Sequence, residues 1–106
     1  SRVLLGEGVT CGNNVRFEGN VVIGSGCYIG NNAYISNSVV WENTTIGDKT
    51  IIKDAVIGSS STLGQGVKLN PGAVVAEGCT LRDRVEIPAG GKVFYTVGNE
   101  LHLEQG

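Results

Sequence analysis

A six-residue step of apolar residues runs through almost the whole chain and leaves few folds open to it. From Leu5 the step reaches Cys11, Phe17, Ile23, Ile29 and Ile35; one step of five gives Val40, then Ile46 and Ile52. A second step of five gives Ile57, followed by Leu63, Leu69, Val75, Leu81, Ile87 and Val93. Every one of these positions is apolar in a chain that is 41% hydrophobic, so the period belongs to the fold and not to composition. Two residues before each stands a small or β-branched residue, such as Val21, Cys27, Ala33, Ser38, Thr44 and Ala55. Gly, Asn, Asp or Ser crowd the residues that follow, which accounts for the 17 glycines.

A strand sends alternate side chains to opposite faces. The large residue and the small one two before it therefore point the same way, and the residue between them points outward. The Gly and Asn positions turn the chain, because such residues enter left-handed backbone space at little cost. Three strand-turn units close a triangular coil of about eighteen residues, and coils stack with parallel strands roughly 4.8 Å apart. Leu5 to Val93 supplies about five coils of an all-β, single-stranded parallel β-helix. Periodicity leaves the hand of the coil open, since most β-crossovers are right-handed. Both five-residue steps fall at one corner, in successive coils. Ser38 and Ala55 keep the small inward slot there, so the turn lost the residue and register survives. The expected division is a β-helix over residues 1–93 and a polar tail leaving it over 94–106. A repeat entered almost at once reads as part of a longer protein.

The outward residues form three ladders. Thr10, Tyr28, Thr45, Thr62 and Thr80 suit a solvated sheet, and Arg16, Tyr34, Ile51, Lys68 and Glu86 are mixed. The third is Leu4, Val22, Val39, Val56, Val74 and Lys92, with Trp41 projecting from the turn beside its middle. Val suits strands for its own sake, but a contiguous apolar stripe marks an interface more often than isolated exposed aliphatics do. Trp is the typical anchor of such surfaces. Leu4, Val22, Val39, Trp41, Val56 and Val74 are therefore the expected partner-binding residues.

The pattern of an aliphatic residue, often Gly, two variable residues and a small one resembles the hexapeptide-repeat family, which implies a left-handed coil. Within it, ISNSVVWENTTIGDKTIIKDAVIGSSSTLGQGVKLNPGAVVAEGCTLRDRVEI, with VVIGSGCYIGNNAYI before it, resembles β-helices attached to nucleotidyltransferase-like domains. NSVVW followed by IGDKTIIKDAVIG is similar to the epsilon subunit of eukaryotic translation initiation factor 2B. The resemblance implies a nucleotidyltransferase-like domain before Ser1 and a helical domain, carrying nucleotide exchange, after Gly106. It implies a non-catalytic scaffold that joins other subunits of one complex, a gamma-like subunit foremost, with initiation factor 2 as a further candidate. The alternative is the oligomerisation or regulatory β-helix of a sugar-phosphate nucleotidyltransferase, similar to mannose-1-phosphate guanylyltransferase.

Chemistry-bearing residues are sparse. Acyltransferases of the hexapeptide family use a catalytic His and usually a protruding loop. The lone His102 lies beyond the last coil and no loop is inserted, so a general base has no fixed placement. The γ-class carbonic anhydrases need three His for zinc. Cys11, Cys27 and Cys79 all fall in inward slots. Cys27 and Cys79 lie about 14 Å apart and Cys11 about 8 Å from Cys27, beyond disulfide reach. They read as buried reduced thiols of a reducing compartment. Acidic turn residues, including the pair Asp48 and Asp54, read as solvated. No catalytic, cofactor or metal site is expected. A net charge of −2 and pI near 5.2 give no footprint for nucleic acid or anionic membrane. With no apolar run of membrane-span length and no signal-peptide pattern, the expected setting is soluble and cytoplasmic.

Overall fold

The computed structural model describes residues 1–105, and Gly106, the last residue of the expected tail, lies outside the described residues. The repeat closes into a triangular left-handed parallel β-helix of about five coils, 35 × 23 × 21 Å in extent. The first face stacks Val3–Leu5, Val21–Ile23, Val39–Val40, Val56–Ile57, Val74–Val75 and Lys92–Tyr95. The second runs from Thr10–Cys11 to Thr80–Leu81, and the third from Arg16–Glu18 to Glu86–Ile87. Register follows the repeat residue for residue: Val22 pairs with Val39, Val39 with Val56, and Val56 with Val74. The two short turns leave this register intact because only the corner residue between the third and first faces is lost.

Inward columns make the core. Ile23, Ile29, Ile35, Ile46, Ile52, Ile57, Leu63 and Leu69 are at most 1% exposed. Several small slots carry hydroxyls, which would be costly to bury without partners. Each bonds to the next coil or to its own turn. Thr44 donates to the Gly58 carbonyl at 3.1 Å, Thr50 to Gly64 at 3.1 Å, and Ser61 to Ala76 at 3.1 Å. Ser38 donates to the Ser36 carbonyl at 2.7 Å and accepts the Ala55 N–H at 3.0 Å. Among the described residues, no buried side-chain nitrogen or oxygen lacks a partner.

Each corner holds one residue with positive φ. Gly and Asn fill most of these positions, but Lys49, Ser60 and Arg84 adopt the same conformation at φ of 61°, 58° and 62°. These three have no special taste for left-handed space. The backbone N–H of each donates to a corner carbonyl of the preceding coil, those of Asn31, Glu42 and Gln65, at 2.8, 2.9 and 2.7 Å, and this stacking holds them there.

The two ends differ from the expectation drawn from the repeat alone. After Val93 the chain turns back, and Leu101–Glu104 pairs antiparallel with Lys92–Tyr95. Leu101 and Leu103 thereby lie over the last coil near Leu81, Ile87 and Val93, and the added strand covers the edge of the first face. At the opposite end, among the described residues, no strand pairs with the outer edge of the first coil. Val3 and Leu5 are 41% and 50% exposed although they occupy inward columns. Cys11 is exposed for the same reason, so the reading of three buried thiols holds for Cys27 and Cys79 only.

Candidate partner-binding face

On the first face the strands alternate burial as their sequence alternates size, with Val21 and Ile23 buried and Val22 outward. The outward column is Leu4, Val22, Val39, Val56 and Val74, held in register by direct strand pairing and about 19 Å long at the roughly 4.8 Å step between strands. Leu4, Val22 and Val56 are exposed, while Val39 and Val74 are half-buried. Trp41 is 53% exposed. It stands two residues beyond Val39, at the position that Gly6, Gly24 and Gly58 occupy in other coils. A Cβ on Gly24 would press on the Glu42 backbone, and one on Gly58 on the Glu77 backbone. This column therefore lacks side chains on either side of Trp41. The result is a notch floored by Gly6 and Gly24 and walled by Leu4, Val22, Val39 and Trp41. All six residues expected from the sequence thus lie together on one surface. The glycine-floored notch was not expected, although glycines recurring one residue after the large apolar position were its visible signal.

The other candidate groups are dispersed or engaged. His102 lies in the closing hairpin, its ring 5.1 Å from that of Phe94. Asp48 and Asp54 sit at different corners, and Asp48 accepts the Asn31 N–H at 2.8 Å. On the third face Tyr34 donates to Glu18, which also pairs with Arg16 at 3.0 Å. That hydrogen bond to a carboxylate raises the Tyr34 pKa. Burial raises the thiol pKa of Cys27, which donates to the Trp41 carbonyl at 3.1 Å, and of Cys79. Both stay protonated at neutral pH and behave as small apolar residues. Among the described residues there is no group of three or more His, Cys, Asp or Glu able to hold a metal ion. No helix among them is long and apolar enough to cross a membrane.

The family model described as "EIF2B subunit epsilon LbH domain" matches residues 1–87. No curated protein matches the sequence. Among solved structures, a UDP-N-acetylglucosamine acyltransferase from Campylobacter jejuni is similar at 13% identity and TM-score 0.56, covering 96% of this chain and 69% of its own. The N-acyltransferase AntD from Bacillus cereus is similar at 16% identity and TM-score 0.49, covering 97% and 76%. At these identities the likeness concerns the coil itself.

Proposed function

Because the chain belongs to the family of left-handed β-helix domains of the EIF2B epsilon subunit, we propose that it is a non-catalytic assembly module of that translation-initiation exchange factor. Its first face is the surface on which another subunit docks, with a gamma-like subunit the foremost partner. One observation carries this reading. Leu4, Val22, Val39, Val56 and Val74 are contiguous, outward and joined by Trp41, in a protein whose interior is already filled without them. Burying such a surface on a partner gains roughly 25 cal/mol per Å² of apolar area, before the costs of association. Exposed Trp beside a small-residue notch has the form of an interface hot spot.

The test is capture of EIF2B gamma by the immobilised 106-residue chain. Wild type is expected to retain gamma, and a Val39→Glu/Val56→Glu variant with an unchanged circular-dichroism melt is expected to lose it. Retention by both would move the interface to another face. No retention by wild type would remove the proposal.

A further inference from the structure

The apolar stripe is framed unevenly. At the corner that follows the first face, Glu7, Ser25, Glu42, Ser59 and Glu77 stack in one column. Backbone bonds of 2.9 Å tie Gly26 to Glu7, Asn43 to Ser25, Ser60 to Glu42 and Gly78 to Ser59. Carboxylates therefore recur at every second coil, roughly 10 Å apart. All three are exposed. The one ion pair among the described residues is Arg16 with Glu18 on the third face, so none of the three has a cation beside it. The opposite margin of the stripe, Arg2, Asn20, Asn37, Asp54 and Gly72, holds one cation and one anion and is otherwise neutral.

Unneutralised carboxylates at this spacing are easily tolerated in water, where the Debye length is about 8 Å at physiological salt. Docking changes that. An apolar face laid on the stripe excludes water at its border, and like charge meeting this corner would cost far more than at an open surface. We infer that the partner of the first face presents an apolar ridge bordered on one side by lysine or arginine residues spaced roughly 10 Å apart, which meet Glu7, Glu42 and Glu77. A bulky apolar side chain of the ridge seats in the notch above Gly6 and Gly24 against Trp41. The inference rests on the docking role proposed above. It adds the orientation of the partner, since the acidic column runs along one margin only, and it adds the salt dependence of the association.

The experiment measures the dissociation constant of EIF2B gamma for the chain across a sodium chloride series. It compares wild type with Glu7→Lys/Glu42→Lys/Glu77→Lys, with the matching Gln variant, and with Val39→Glu/Val56→Glu, each checked by circular dichroism. The Lys variant is expected to bind at least about tenfold more weakly at low salt, and the Gln variant to fall between it and wild type. The differences should close towards about 1 M salt, where the Debye length is about 3 Å. Wild-type affinity in the Lys variant, alongside loss in the Val variant, would overturn the basic border and leave the docking face standing. A defect in the Lys variant that persists unchanged at high salt would overturn the charge account in the same way. Unchanged binding in all variants, or no binding by wild type, would remove the docking face and this inference with it.

Discussion

Ile46→Asp is expected to leave the chain unfolded, and Leu63→Asp to do the same. Ile46 is fully buried and stacks between Ile29 and Leu63, and Leu63 in turn meets Leu81 in the next coil. An aspartate here loses the apolar contacts of its column and places a carboxylate where no donor is free to meet it. An isolated charge in such a medium costs more than a domain's whole stability of about 5–15 kcal/mol unless it is protonated, and then its hydroxyl still lacks a partner. Truncation to Ala removes the side chain without adding a polar group and should cost roughly 2–5 kcal/mol. Circular dichroism and thermal melts check both. A cooperative melt of wild-type midpoint in either Asp variant would refute the inward assignment of the whole column.

The second large effect arises at a corner. Gly47 has ordinary backbone geometry, but a Cβ there would run into the carbonyl of Gly64 in the next coil. Backbone cannot step aside as a flexible side chain can, so Gly47→Ala must spread two coils and should cost about 2–3 kcal/mol. Gly78 supplies the contrast. Its φ is +73°, and an added Cβ would find nothing within 4 Å. Gly78→Ala should cost only backbone strain, about 1–2 kcal/mol. Urea denaturation of the two variants separates steric from conformational causes, and a larger loss at Gly78 would reverse the account.

Periodicity made the coil legible. A step of six with a small residue two before each large one assigns in, out and turn to nearly every residue, and those assignments hold from Val21 to Val93. The ends were less legible, because a repeat describes what each coil does for its neighbours and the end coils lack one. Cys11, Val3 and Leu5 are exposed on that account. The closing hairpin had a faint signal in the alternation of Leu101, His102, Leu103 and Glu104, which is the period of a strand with one covered face. Nothing in their chemistry marked Lys49, Ser60 and Arg84 as left-handed, since the stacked coils impose that conformation. The six residues of the candidate face were legible because outward columns follow directly from the repeat. The acidic column emerges only once the register shows that Glu7, Glu42 and Glu77 share a corner.

The most direct test of the docking face uses the single tryptophan of the chain. With 5-fluorotryptophan at position 41, the fluorine resonance reports on that one side chain, 53% exposed in the free protein. Titration with unlabelled EIF2B gamma is expected to move the resonance to a new position and abolish its solvent-isotope shift, as water leaves the ring. A resonance that keeps its position and its isotope shift when binding is independently saturated would contradict the assignment of this face.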